Sequence, residues 1–245
     1  LLDGLIVLTI GFKYTYDNML YDRLLNMVDE KCKCPVVSID ESFGNYEMVS
    51  TTIDDFINNE HFITYYMTVS GHLQYTYIGN SMSTKHRSYV KDLPYSEAVQ
   101  AYLATQIELD KAVELLIKKL EEAGKLEDTV IIISGDHYPY GLTLNELNEL
   151  SSYKKDDNFE KHRMPFLIWN SGMKEPVEVE KVGCSLDILP TVLNLFGVEY
   201  DSRLLMGTDL LSNSDGMVIF SNRSFITEKG RYNSLTKTFK DISSK

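Results

Sequence analysis

The feature that most constrains the fold is a long amphipathic helix pattern that leads directly into an apolar strand pattern. The segment 95–124, "YSEAVQAYLATQIELDKAVELLIKKLEEAG", ends at Gly124, a residue that readily adopts the left-handed conformation of a helix end. The following strand, predicted over 127–136, is apolar on both faces at 130–133, as in a central parallel strand. This order is typical of an α/β fold. The helix places these apolar residues largely on one face: Ala98, Tyr102, Ile107, Val113, Leu116, Ile117 and Leu120.

The same alternation extends through the first 70 residues. Apolar and β-branched residues predict strands over 5–12, 34–40 and 61–70. Helices are predicted over 16–30 and over 50–59, the second opened by Ser50.

The polar stretch 71–94 has little periodicity and is predicted to be a functional loop. The expected architecture is a mostly parallel central sheet flanked by helices. In it "ITYYMTV", "TVIIISG" and "PFLIW" are neighbouring central strands, and the helix over 95–124 covers one face.

Net charge and hydropathy argue against a nucleic-acid partner and against a membrane span in this chain. The formal net charge of −12 argues against a nucleic-acid partner, because a protein that binds phosphates along a duplex needs a basic face. The most apolar run, "GLIVLTIGF" at 4–12, is far shorter than the roughly 20 residues of a membrane span. We therefore expect this chain to be soluble, with any membrane contact through a segment that it lacks.

Asp136 and His137 stand side by side where the predicted strand over 127–136 ends. Ligands collect at the carboxyl ends of strands in open α/β sheets, and a carboxylate next to an imidazole can bind one divalent metal. Alternatively, Asp136 accepts backbone N–H groups in the turn and His137 caps a helix. The dipeptide by itself leaves both interpretations open.

Four segments resemble the sulfatase and alkaline phosphatase superfamily. "YLATQIELDKAVELLIKKLEEAGKLEDTVIIISGDHYPYG" is similar to that family's helix and metal-binding strand, and "HRMPFLIWNSG" to its following strand. "CSLDILPTVLNLFGV" and "MGTDLLS" resemble the helix and the segment after it. "YYMTVSGHLQY" and the Asp-His pair most resemble the lipoteichoic acid synthase-like branch of phosphoglycerol transferases. The resemblance covers residues 60–233 of one expected domain over 1–245, in which residues 1–45 are atypical.

The resemblance assigns roles to individual residues. It implies that Asp136 and His137 bind the metal and that His72 contacts the substrate phosphate. It also nominates His162 as a substrate-binding residue, and Arg163 is a phosphate partner by its chemistry. Asp187 is expected to cap or orient its helix.

The resemblance further implies an activity and its setting. The chain is expected to belong to a metal-dependent transferase or hydrolase of phosphate or sulfate esters, with a substrate derived from phosphatidylglycerol. The metal is expected to be Mn²⁺, with Zn²⁺, Mg²⁺ and Ca²⁺ as alternatives. The implied location is the extracellular face of a bacterial membrane.

The family's nucleophile, a Thr in the synthases, and its N-terminal metal-binding acid are not identified in this sequence. They lie well upstream of the Asp-His pair in the family, and only 71 residues precede His72 here. Glu41 superficially matches the acid but has too little chain after it. Thr68 and Ser70 belong to the strand that supports His72, and Thr68 is expected to face the core.

We therefore expect a truncated or replaced N-terminal part and a chain that is a poor enzyme alone. The alternative function is a catalytically inactive binding or accessory domain with the sulfatase fold.

Overall fold

The computed structural model describes residues 4–10, 36–39 and 44–242. The chain divides into two compact units, Leu1–Lys174 and Glu175–Lys245. The single domain predicted over 1–245 stays a prediction. The helix predicted over 16–30 and the candidate Glu41 lie outside the described residues.

The first unit contains a sheet whose described strands are β1 Gly4–Ile10, β2 Val36–Ile39, β3 Phe62–Thr68, β4 Thr129–Gly135 and β5 Phe166–Trp169. Their order is β2-β3-β1-β4-β5. Among the described strands, β1 pairs in parallel with β3 and β4, and β2 pairs in parallel with β3, whereas β5 is antiparallel to β4. The prediction of a mostly parallel α/β sheet is confirmed.

The predicted strand neighbours are wrong in two respects. β3 and β4 do not pair, because β1 lies between them. β5 is the outermost strand on its side of the described sheet rather than a central one. Its alternation explains this position, since Leu167 and Trp169 are exposed while Phe166 and Ile168 are half-buried. A strand with one solvent-exposed face is typical of a sheet edge.

The long helix α4, Glu97–Glu122, packs on one face of the sheet as predicted. Its Leu116 and Leu120 are fully buried against Phe62, Tyr66 and Ile131 in the main core. Gly124 has φ +68°, so it ends the helix in the left-handed conformation expected of it.

The buried face of α4 differs from the predicted stripe. Thr105 and Glu108 are fully buried, whereas Ile107 and Val113 are only half-buried. Apolar spacing could not show this, because a buried carboxylate needs partners from elsewhere in the fold.

Glu108 finds these partners on the segment predicted to be a loop. Its carboxylate lies 2.6 Å from His86 Nε2 and 3.1 Å from Lys85 Nζ. Burial raises the pKa of Glu108, but the hydrogen bonds and charges of His86 and Lys85 outweigh it and hold the pKa below its usual value. This buried cluster fastens the segment after β3 to the middle of α4.

Two predicted elements are corrected in detail. The segment 71–94 contains two short helices, α2 Ser81–Lys85 and α3 Arg87–Val90, and Asn80 caps the first by accepting from two backbone N–H groups. The helix predicted to begin at Ser50 instead begins earlier, as α1 Asn45–Thr52. The Ser50 hydroxyl bonds back to the Glu47 carbonyl, as hydroxyls do inside helices.

The first unit also contains α5 Leu144–Glu149, which opens with a capping box formed by Thr143 and Glu146. Among its described residues, the second unit contains α6 Ile188–Leu195 and a four-stranded antiparallel sheet. Its strands are β6 Met217–Ile219, β7 Phe225–Thr227, β8 Gly230–Asn233 and β9 Thr238–Asp241. No helix in the described part of the chain is both long enough and apolar enough to cross a membrane.

Replacement of Glu108 by alanine should destabilise the first unit by about 2–4 kcal/mol, because His86 would lose its buried partner. Urea unfolding monitored by circular dichroism measures the change. Glu114→Ala on the exposed side of the same helix is the matched control and should shift stability by less than about 0.5 kcal/mol.

The contribution of Glu108 to the stability of the first unit should depend on pH. Since the folded-state pKa of Glu108 is lowered, its stabilisation is present above the usual carboxyl pKa of about 4.3 and is lost as the pH falls through the lower folded value. Glu108→Ala and the wild type should therefore converge in stability under strong acid. An equal difference at neutral and acidic pH would contradict the role of the charge.

Candidate functional site

The candidate site lies where β3 and β4 end. Ile10 at the end of β1 is opposite both Thr68 of β3 and Gly135 of β4, so the two strands stop at the same level. Asp136 follows β4 directly and His72 follows β3 after three residues. The carboxyl edge of the sheet therefore presents both segments on one side.

Asp136 and His137 form a close pair in the turn after β4. The His137 backbone N–H donates to Asp136 Oδ1 at 2.8 Å. The ring Nε2 of His137 lies 3.2 Å from Asp136 Oδ2. The two side chains are 26% and 33% exposed, so the pair is partly shielded from water but open on one side.

Both histidines of the site are oriented by the carbonyl group of the next residue. His72 Nδ1 lies 2.8 Å from the Leu73 carbonyl oxygen, and His137 Nδ1 lies 2.8 Å from that of Tyr138. A carbonyl oxygen can only accept, so Nδ1 carries the hydrogen in the neutral ring. In both residues Nε2 is then the nitrogen that carries the lone pair.

Tyr140 lies between the two histidines, and sequence reasoning missed it. Its ring centroid is 4.7 Å from that of His137 and 6.4 Å from that of His72. Its hydroxyl lies 3.4 Å from His72 Nε2. Through these contacts His72 and His137 lie in one group, and their roles stay predictions. The sequence signal that could have identified Tyr140 is an aromatic residue in the glycine-containing turn that follows the Asp-His pair.

The turn that holds Tyr140 packs closely on the segment that holds His72. A Cβ on Gly141 would lie 2.9 Å from Tyr75 Cε2 and 3.0 Å from Leu73 Cβ, so only glycine fits without a shift. The Tyr75 hydroxyl donates to the Gly71 carbonyl at 3.2 Å and closes the His72 loop. The two loops therefore form one packed surface.

Of the two remaining predicted substrate residues, His162 has a contact with this group. The His162 ring meets the Tyr138 ring edge-on, with centroids 5.1 Å apart. Partial desolvation, followed by the charge of Lys161, lowers the pKa of His162. Arg163 is exposed, and its backbone N–H donates to the Glu160 carbonyl. The structure thus places His162 beside Tyr138. The Arg163 side chain makes no contact with His72, His137 or Tyr140 among the contacts of the described residues.

The hydroxyl-bearing residues near His72, Thr68 and Ser70, have structural roles. Thr68 is 2% exposed and faces the core, as predicted. Ser70 accepts a hydrogen bond from the Asn45 backbone N–H at 2.9 Å, and the Asn45 side chain accepts from the N–H groups of Val69 and Ser70. Asn45 therefore fixes the chain directly before His72.

Asp187 orients its segment, as one of the two predicted roles, but its side chain makes no cap hydrogen bond to α6. Its Oδ2 accepts from the Cys184 N–H and its Oδ1 from the Thr208 N–H, both at 2.7 Å. Thr191 adds a second link, because its hydroxyl accepts from the Leu210 N–H at 2.9 Å. The Asp-x-x-Pro-Thr sequence thus holds the segment after α6 against the start of that helix.

The Asp136 and His137 donors fit a divalent metal as two of its ligands. His137 Nε2 is buried, makes no hydrogen bond among the described residues, and faces the Asp136 carboxylate. Carboxylate oxygen and imidazole nitrogen suit Mn²⁺ and Zn²⁺. In the described part of the chain, no three His, Cys, Asp or Glu side chains are grouped for metal binding.

Comparison with known proteins identifies relatives across most of the chain. The family model described as Sulfatase matches residues 9–198. Lipoteichoic acid synthase 1 of Bacillus subtilis is 30% identical over 175 residues, which cover 69% of this chain and 26% of that protein. The lipoteichoic acid synthase-like protein YvgJ of the same organism is 32% identical over 142 residues, covering 54% of this chain and 22% of that protein. The chain thus spans about a quarter of the length of these relatives.

Solved structures show the same fold. The lipoteichoic acid synthase LtaP of Listeria monocytogenes aligns with a TM-score of 0.64 and 24% identity, covering 97% of this chain and 64% of that one. A protein of the alkaline phosphatase superfamily from Vibrio parahaemolyticus aligns with a TM-score of 0.55 and 15% identity, covering 97% and 60%. These matches confirm the alkaline phosphatase-like architecture.

The metal interpretation of the Asp-His pair can be tested by direct binding. His137→Ala and Asp136→Asn should each weaken Mn²⁺ binding at least about tenfold, since each removes a ligand atom. Electron paramagnetic resonance of free Mn²⁺ measures the affinity. His61→Ala, at the opposite end of β3, is the control and should bind as the wild type does. Unchanged affinity in both site variants would refute the assignment.

Asp187 should behave as a structural residue. Asp187→Asn replaces one accepting oxygen with an amide donor that faces a backbone N–H, so unfolding of the second unit should become easier by about 1–3 kcal/mol. Thermal denaturation measures this loss, with Asp215→Asn as an exposed control. Mn²⁺ affinity should not change, and a weaker affinity would show that Asp187 binds metal.

Proposed function

Since the chain belongs to the sulfatase family, we propose that it serves the metal-dependent transfer or hydrolysis of phosphate or sulfate esters, with a phosphoglycerol ester as the favoured substrate. The observation that carries the proposal is the meeting of His72 with the Asp136–His137 pair around Tyr140. The preference for phosphoglycerol rests on relatives that are lipoteichoic acid synthases.

Asp136 and His137 would hold the metal through one carboxylate oxygen and one ring nitrogen. A bound divalent ion, Mn²⁺ in the first instance, supplies positive charge that neutralises the ester group. The Leu73 carbonyl fixes the His72 ring, and Nε2 lies on the side of the Tyr140 hydroxyl. A neutral His72 accepts a hydrogen bond there from a hydroxyl, and a protonated His72 donates one to a phosphate oxygen.

The margin of the site offers further contacts to an anion. The exposed guanidinium of Arg163 suits two oxygens of a phosphate, and His162 lies beside Tyr138 at the same margin. We assign both to substrate binding. The nucleophile is expected to be a Thr on the basis of the family, and neither Thr68 nor Ser70 is suitably placed among the described residues.

We also propose the setting in which the reaction occurs. The substrate would derive from phosphatidylglycerol, and the reaction would take place at the extracellular face of a bacterial membrane. Both statements extend the names of the relatives to this chain.

The test is turnover by the purified chain with Mn²⁺ and three substrates: a chromogenic phosphodiester, a sulfate ester and labelled phosphatidylglycerol. We expect low but metal-dependent turnover of the phosphodiester, because two ligands hold a divalent ion weakly. His137→Ala should lower it at least about tenfold by removing a ligand. His61→Ala should leave it unchanged.

Two results would count against the proposal. Turnover that is equal in wild type and His137→Ala would show that the activity does not use this site. Mn²⁺ and glycerol phosphate binding without any turnover would favour the alternative, an inactive binding or accessory domain. Turnover of the sulfate ester alone would retain the family reaction and correct the substrate.

A further inference from the structure

Tyr140 contacts His72 through both its ring and its hydroxyl group. It is 47% exposed, so its ring is accessible from solvent, yet it contacts both histidines of the site. Its ring also meets Tyr138 edge-on at a centroid distance of 6.4 Å. It therefore joins the turn of the metal-ligand pair to the loop of the substrate-binding histidine.

The hydrogen-bonding pattern of His72 gives the Tyr140 hydroxyl a defined role. Because Nδ1 donates to the Leu73 carbonyl in the neutral ring, Nε2 can only accept there. The Tyr140 hydroxyl lies 3.4 Å from Nε2 and is the donor in this pair. The imidazole is then held at both nitrogens, by a backbone oxygen on one side and by a phenol on the other.

The backbone around Tyr140 fixes where this hydroxyl can reach. The Leu142 N–H donates to the Pro139 carbonyl at 2.9 Å and closes the turn around Tyr140. The absence of a side chain at Gly141 lets the turn approach Tyr75 and Leu73, the neighbours of His72. The separation between Tyr140 and His72 is therefore set by packing of the two loops.

We propose that Tyr140 is a positioning residue for substrate binding, which directs the His72 ring so that Nε2 faces the bound ester. The inference rests on the proposed function for the identity of the substrate and on the geometry above for the interaction. The 3.4 Å separation is long for a hydrogen bond to nitrogen, so the hydroxyl can yield part of its contact to a substrate oxygen.

Tyr140→Phe tests the hydroxyl and keeps the ring. In protein labelled with ¹⁵N-histidine and studied at about pH 8.5, where histidine is ordinarily neutral, the His72 Nε2 signal should move toward the value of a nitrogen without a donor. The Nδ1 signal should keep the value of a protonated nitrogen. His72→Gln assigns the signals, and Tyr153→Phe, a tyrosine of similar exposure that contacts Lys155, is the matched control.

Kinetics give the second readout. Tyr140→Phe should lower kcat/KM for the chromogenic phosphodiester about three- to tenfold, the effect of one lost hydrogen bond. The change should appear mainly in KM, because His72 is assigned to substrate binding. Tyr140→Ala should cost more, since it also removes the ring between the two histidines. Tyr153→Phe should show no change in either constant.

The outcomes separate the positioning role from its competitors. Unchanged His72 nitrogen signals in Tyr140→Phe would overturn the proposal whether or not the chain turns over substrate. A lower KM in Tyr140→Phe would also overturn it and show that the hydroxyl blocks the substrate. If the nitrogen signal moves but no ester is turned over, the Tyr140–His72 interaction stands and the proposed function fails.

Discussion

The shared register of β3 and β4 on β1 is the constraint on which the candidate site depends. Ile10 is the common partner of Thr68 and Gly135, so the chain leaves the sheet at one level on both sides of β1. Parallel strands require a crossover between them, and α4 provides most of the return path from β3 to β4. Residues far apart in sequence therefore begin their loops at the same edge.

Short-range hydrogen bonds then determine how the side chains face this edge. Both His72 and His137 use Nδ1 on the carbonyl of the next residue, and this leaves Nε2 for a metal, a substrate or Tyr140. The same hydrogen bond in two separate loops produces two imidazoles with the lone pair on the same ring nitrogen. The close approach of Gly141 to Leu73 and Tyr75 keeps the two loops together.

Polar residues fasten the elements behind the site. The buried carboxylate of Glu108 joins α4 to the short helices after β3, and a Cβ on Gly44 would lie 2.6 Å from its Oε1. Asn45, the next residue, bonds to Val69 and Ser70 directly before His72. The start of α1 is therefore fitted between α4 and the end of β3, so the loop that carries His72 is held by hydrogen bonds as well as by apolar packing.

Local sequence patterns were enough to predict the α/β class, the long helix that ends near Gly124, the strands β3 and β4, and the Asp136–His137 pair at a strand end. Each depends on local periodicity or on a motif, which neighbouring residues encode directly. The family resemblance added His72, and the structure places it beside that pair. The motif also predicted that Asp187 caps or orients its helix. In the structure its carboxylate accepts from the Cys184 and Thr208 N–H groups, which orients the segment, and it does not cap α6.

The strand order, the burial of Glu108 and the position of Tyr140 could be read only from the folded chain. Strand order depends on which apolar strands pair across long crossovers, and several orders satisfy the same pattern. Glu108 is buried because Lys85 and His86 approach it from another segment. Tyr140 meets His72 because two loops converge at one sheet edge. Such contacts join residues distant in the chain, and local sequence carries no record of them.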